Sequence, residues 1–238
     1  MDDSDSNDGS ISCEDQSESG GSGSLEGMVE IPAGMFEMGS EIVLNESPIR
    51  QVYVDSFLID RTEVTVEQYS KCVDDGICGV PRIGGNCNWM VMGRDNHPVN
   101  CVMWFDAKDY CGWAGKHLPT EAEWEKAARG VDSRSYPWGD APEPSCTHVA
   151  MSEDGGGCNL QSTMPVGCKP LGSSPYGVLD MAGNVWEWVM DNYASSYDPL
   201  ETENPVGSTM GDLRVLRGGE YREYPPPPGV RIGNLHSK

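Results

Sequence analysis

Glycine and proline set the first limit on this chain. It carries 29 glycines and 17 prolines in 238 residues. Proline removes a backbone donor and glycine costs entropy inside regular elements, so much of the backbone must run in turns and irregular loops. A loop-rich interior leaves many polar groups in need of partners. The large aromatics suit that need: seven Trp and nine Tyr, whose polar tips can hydrogen-bond when buried, stand beside only three Phe. Hydrophobic residues make up 37%, enough to build a core in one large domain or two small ones. The formal charge of −22 excludes the basic face of a nucleic-acid binder, and an anionic lipid surface would repel the chain. No run approaches the roughly 18 consecutive apolar residues of a membrane-spanning helix.

The acidity is uneven. Residues 1–27 hold eight acids and no Lys or Arg, and Asp, Glu, Gly and Ser fill 21 of the 27 positions. Such a segment reads as a disordered tether. No basic segment followed by an apolar one is found in it, so no export signal is read. The nine cysteines point the other way. None has C-x-x-C spacing and the four His are scattered, which argues against zinc. The gaps 72–78, 87–101 and 146–158 suit loop-stapling disulfides, although four cysteines within 72–101 allow three connectivities. An oxidising, extracytoplasmic compartment is therefore expected: secreted, periplasmic or surface-tethered.

Along the chain, Met28–Gly34 opens the folded body and Gly34–Gly39 reads as a strand bounded by glycines. Residues 51–59 alternate and then turn apolar, as one half-buried strand would. Thr65 and Gln68 form a capping box that opens a helix ending at Gly76, with Val66, Tyr69 and Val73 on one face. A second helix is expected from about Phe105 to Ala114, burying Ala107, Tyr110, Cys111 and Ala114 and stopped by Gly115. Thr120 and Glu123 make a second capping box, opening a helix through Ala128 that ends near Gly130. Residues 131–238 show no long period and read as short strands and loops.

Five motifs then carry a family resemblance. His97-Pro98-Val99-Asn100-Cys101-Val102-Met103-Trp104 is followed by Tyr110-Cys111-Gly112-Trp113-Ala114-Gly115-Lys116-His117-Leu118-Pro119-Thr120-Glu121-Ala122-Glu123-Trp124-Glu125. Tyr136-Pro137-Trp138-Gly139, Asp180-Met181-Ala182-Gly183-Asn184-Val185-Trp186-Glu187-Trp188 and Arg214-Val215-Leu216-Arg217-Gly218-Gly219 complete the set. In this order, over residues 28–220, the chain resembles the formylglycine-generating enzyme (sulfatase-modifying factor) family. The resemblance implies an α+β fold of the C-type-lectin-like kind, with few helices, small twisted sheets and much irregular loop. It divides the chain into the tether 1–27, the domain 28–220 and an atypical tail 221–238.

The resemblance also implies chemistry, and the sequence departs from it. Family enzymes oxidise a sulfatase cysteine to formylglycine with oxygen and copper(I), held by two cysteines shortly after the Arg-Gly-Gly motif. Thiolates are the soft ligands copper(I) requires. Here Glu220-Tyr221-Arg222-Glu223-Tyr224 and Pro225–Pro228 follow that motif. Carboxylates at Glu220 or Glu223 are hard ligands and would not replace thiolates, so copper is not expected. The family's closing strand carries a cysteine that pairs with the position of Cys111, which leaves Cys111 unpaired in this chain. The proline run is not a strand interior. The reading is that the tail is truncated or out of frame.

Calcium is the metal the resemblance supports. The family places a structural calcium in the loop matched by residues 180–187, which assigns Asp180, Met181, Gly183, Val185 and Glu187 as ligands. Two carboxylates and three carbonyls form an oxygen-rich set suited to a hard cation. A second family site near 148–161 is not carried over, because Gly155-Gly156-Gly157-Cys158-Asn159 stands in its place. His97 and His117 read as structural residues, and Trp186 and Trp188 as buried core. No catalytic residue is assigned. The function expected is that of a binding or scaffold module with a protein or peptide ligand. The alternative is a formylglycine-forming oxidoreductase whose catalytic end is missing.

Overall fold

The computed structural model describes residues 27–41, 44–151, 158, 162–208, 211–219 and 231–233. The expected tether therefore lies outside the described residues except for Gly27, as do Glu220, Glu223 and the proline run. Among the described residues seven short strands, three helices and two 3-10 turns are joined by long loops, as the glycine and proline content requires.

Strands β1 (Met28–Ile31) and β2 (Gly34–Met38) open the domain. The expected single strand over 51–59 is two: β3 (Arg50–Val54) and β4 (Phe57–Asp60). The break at Asp55 has a visible cause. Asn204 accepts from the Asp55 backbone N–H at 2.8 Å and donates to its carboxylate at 2.9 Å, turning the chain out of the ladder. That break lets β3 pair with β2 and β4 pair with β1, both antiparallel. Later in the chain β5 (Glu187–Asn192), β6 (Arg214–Arg217) and β7 (Arg231–Gly233) form a three-stranded sheet, with β6 in the centre and β7 parallel to it.

Helix α1 (Val66–Asp74) and helix α3 (Glu121–Arg129) start on complete capping boxes at Thr65 and Thr120, as expected. Gly76, Gly115 and Gly130 all take positive φ just beyond the helix ends. Helix α2 spans Trp104–Trp113, one residue earlier than expected at each end, because Asp106 accepts from the Met103 N–H. Its buried residues are Trp104 and Tyr110, whereas Ala107, Cys111 and Ala114 are only half-buried. The correction follows from Trp104, whose indole N–H donates to the Val189 carbonyl at 2.7 Å and pins the helix to β5.

The core centres on α3. Trp124, fully buried, packs with Ile31 of β1, Val189 of β5, Val215 of β6 and the loop residue Val178. Buried Lys126 donates from Nζ to the carbonyls of Pro32, Gly34 and Val54, tying the helix to the β1–β2 turn and to β3. A second cluster joins Tyr69, Cys72, Trp89 and Tyr110, with Tyr69 stacked on Tyr110 at 5.5 Å. Disulfides Cys72–Cys78, Cys87–Cys101 and Cys146–Cys158 staple the loops, and Cys168 is also disulfide-bonded. Among the described cysteines Cys111 is free. Replacing Cys87 and Cys101 together with serine is expected to lower the unfolding free energy by about 3 kcal/mol, from the loop released in the unfolded state. Urea unfolding followed by tryptophan fluorescence measures it; an unchanged midpoint would contradict it.

Candidate functional site

The loop that leads into β5 brings together carboxylates from two distant parts of the chain. Asp180, Gly183 and Asn184 all take positive φ (58°, 79° and 60°), so the loop coils tightly. Gly183 has a steric reason as well: a Cβ there would lie 2.4 Å from the Ala150 carbonyl oxygen. Asn184 holds the coil, donating to Glu63 at 2.9 Å and accepting from the Met164 N–H at 2.9 Å. Asp180 accepts from the Gly167 N–H at 2.5 Å. Glu187 begins β5 and accepts from the Trp124 indole at 2.9 Å.

Glu63 is the member that sequence reasoning missed. It stands alone in Arg61-Thr62-Glu63-Val64, between β4 and α1, with no ligand-like spacing to betray it. Burial, then the charges of Asp180 and Glu187, push its carboxyl well above the usual range. Burial raises Asp180 too, against the pull of the Gly167 N–H. Glu187 is pushed up to about 8, by burial first and by Asp180 in addition, while the Trp124 hydrogen bond acts against both. Three largely buried neighbouring carboxylates oppose one another's ionisation, with Lys169 pulling the other way at Asp180. One oxygen of Glu63 is shut off from solvent, and the Glu63 carboxyl shares a hydrogen bond with that of Asp180.

The expected ligands divide accordingly. Asp180, Met181, Gly183 and Val185 are buried and Glu187 is half-buried. Among the described residues no backbone hydrogen bond ends on the carbonyls of Met181, Gly183 or Val185. No three His, Cys, Asp or Glu side chains among the described residues converge tightly enough to hold a metal by themselves. Any cation here would therefore depend on the loop carbonyls as much as on the side chains.

A groove of about 950 Å³ runs past this cluster. Glu63, Met181, Val185 and Glu187 lie on its wall, with β4 on one side and the end of α2, including Cys111, on another. Burial, and Asp60 after it, push the Cys111 thiol up to about 11, so it is held as the thiol. Trp186 and Trp188 line the groove and are half-buried, rather than the buried core residues expected. The Trp188 indole donates to the Val102 carbonyl, 86 residues earlier, at 3.2 Å. His97 meets Thr163 at 2.8 Å, and burial, with Arg94 nearby, lowers it to about 4. His117 is exposed, its ring nitrogen 2.9 Å from the Leu118 carbonyl oxygen.

Comparison with known proteins gives this arrangement a context. The family model described as "Sulfatase-modifying factor enzyme 1-like domain" matches residues 14–230. A formylglycine-generating enzyme of Mus musculus is 34% identical over 82% of this chain and 66% of its own length. The chain thus spans just under two thirds of that relative. An inactive Cα-formylglycine-generating enzyme 2 of Bos taurus is 30% identical over 84% of this chain and 78% of its own. Among solved structures, PvdO from Pseudomonas aeruginosa superposes with a TM-score of 0.67 at 26% identity, covering 82% of each chain.

Proposed function

The chain belongs to the sulfatase-modifying factor enzyme 1-like family, and on that premise we propose that it is a calcium-stabilised, extracytoplasmic polypeptide-binding module rather than a copper oxidase. One observation carries the calcium part: the neighbouring carboxylates of Glu63, Asp180 and Glu187 stand beside a loop in which, among the described residues, the carbonyls of Met181, Gly183 and Val185 accept no backbone hydrogen bond. Side chains of Asp180 and Glu187, with the carbonyls of Met181, Gly183 and Val185, are the proposed ligands, and Glu63 supplies further negative charge beside them. A bound calcium ion would supply countercharge beyond that of Lys169, which acts on Asp180. The loop residues then do the positioning: Asn184 fixes Glu63, Gly167 fixes Asp180, and Trp124 fixes Glu187.

The donor set does not fit copper(I). Residues 220–228, directly after the Arg-Gly-Gly motif, contain no cysteine. Cys111 is one thiol, and its burial opposes the thiolate form. A relative described as inactive shows that the family includes members without the oxidase activity. The disulfides support an oxidising compartment, and among the described residues no helix is long and apolar enough to cross a membrane.

Elemental analysis tests the proposal, after loading the purified protein with calcium and, separately, with copper(I) under reducing conditions. One calcium and no copper per chain is the expected result. Stoichiometric copper would overturn it and restore the oxidase reading. Calcium at a hundred times its dissociation constant is expected to stabilise the fold by about 2.7 kcal/mol. Thermal unfolding with calcium and with chelator reads that shift directly.

A further inference from the structure

We infer that Cys168 closes a disulfide with Cys13 and so clamps the N-terminal acidic segment onto the stretch of chain that positions Asp180. The bridge stands on the cysteine count and the path of the chain; its effect at Asp180 rests on the calcium reading above. The chain has nine cysteines. Six of them form Cys72–Cys78, Cys87–Cys101 and Cys146–Cys158, and Cys111 is free. Cys168 is disulfide-bonded as well, which leaves Cys13, outside the described residues, as its partner within the chain. A bridge between two copies would have to draw together chains that each carry a net charge of −22.

The path of the chain agrees. The described residues begin at Gly27, whose carbonyl accepts from the Arg61 N–H at 2.9 Å, and the Arg61 carbonyl accepts from the Leu179 N–H at 2.8 Å. Gly167 packs on the same place: a Cβ there would lie 3.6 Å from the Leu179 side chain and 3.7 Å from that of Thr62. Cys168 therefore stands close to the point where the N-terminal segment joins the body. At up to about 3.3–3.6 Å per residue, the chain from Cys13 to Gly27 is ample for that separation.

Cys168 also sits between two residues that act on Asp180. The Gly167 N–H donates to the Asp180 carboxylate at 2.5 Å, and the charge of buried Lys169 attracts it. A covalent clamp at Cys168 limits how far both can move, and groups that orient a ligand govern metal affinity. Closing the bridge takes two protons and two electrons from the thiols. Thiol–disulfide exchange passes them to an oxidant disulfide of the compartment, which becomes a dithiol.

Peptide mapping of the full, non-reduced protein tests the bridge. Free thiols are alkylated in denaturant, and the chain is digested with pepsin at acid pH, where thiolate exchange stops. The expected result is alkylation at Cys111 alone and a peptide pair that joins Cys13 to Cys168. Alkylated Cys13, or Cys168 joined to any other cysteine or to a second copy, would overturn it. Cys13→Ser is expected to open Cys168 to alkylation and to weaken calcium binding about threefold in isothermal titration. The double variant Cys13→Ser/Cys168→Ser, which leaves no extra thiol to mispair, is expected to lose the same amount. Parental calcium affinity in both variants would sink the role at Asp180. A parent that takes up no calcium overturns the calcium reading and that role together, and leaves the bridge decided by the map alone.

Discussion

Replacing Arg217 with methionine is expected to lower the unfolding free energy at pH 7 by about 3–5 kcal/mol. Arg217 is buried at the end of β6, where its guanidinium reaches Glu125 at 2.8 Å, Glu121 at 3.4 Å and Glu46 at 3.7 Å. It also lies over the Trp124 ring, 5.1 Å from the centroid. Methionine fills much of the same volume but leaves the buried carboxylates without their shared cation. The pH dependence separates charge from packing. Burial pushes the Glu125 carboxyl up, but Arg217, Arg129 and the Gly39 N–H together hold it below the usual value. A depressed carboxylate contributes stability that is present above its unfolded pKa and lost as pH falls through the folded one. The variant's deficit should therefore be largest at neutral pH and shrink below about pH 4.5, where protonation removes the uncompensated charge. Denaturant unfolding at pH 7 and pH 4 gives the comparison. An equal deficit at both would mean that Arg217 matters only by packing.

The same arginine shows which parts of this protein can be read in advance. Local chemistry was legible wherever a residue acts on its near neighbours. Thr65 and Thr120 announce α1 and α3, because a hydroxyl followed three residues later by Gln or Glu satisfies free N–H groups within one turn. The disulfide loops were legible from spacing, and the family from its ordered motifs. Interactions between distant segments were not. Asn204 interrupts the strand after Val54 from 149 residues away, so the pattern over 51–59 looks continuous. Trp104 becomes a buried residue of α2 because its indole N–H reaches the Val189 carbonyl, 85 residues later. Glu63 enters the carboxylate cluster through Asn184, 121 residues later. Resemblance supplied the loop 180–187, but not the burial that leaves its acids short of countercharge.

Asp191→Asn is expected to flatten the pH dependence of stability between about pH 4 and 8, removing about 1.4 kcal/mol per pH unit from the slope. Asp191 lies on β5, buried, and accepts from the Glu121 N–H at 2.7 Å, where α3 begins. Burial, and Glu121 after it, push its carboxyl from 3.8 to about 8. The folded state therefore keeps a proton that the unfolded chain gives up near its ordinary value. A raised acid contributes stability that is present at low pH and falls as pH rises toward the folded value, since the native form binds more protons over that range. Asparagine keeps the size and an acceptor for the Glu121 N–H, and it cannot ionise. Stability of the variant should cross that of the parent as pH rises, with the advantage growing toward pH 8. Glu187, also raised to about 8, leaves a residual slope of the same sign in both proteins. Urea unfolding at pH 5, 6, 7 and 8 reads the slopes directly. Parallel curves for parent and variant would show that Asp191 ionises in the folded protein as it does in the unfolded chain, and that the start of α3 tolerates its charge.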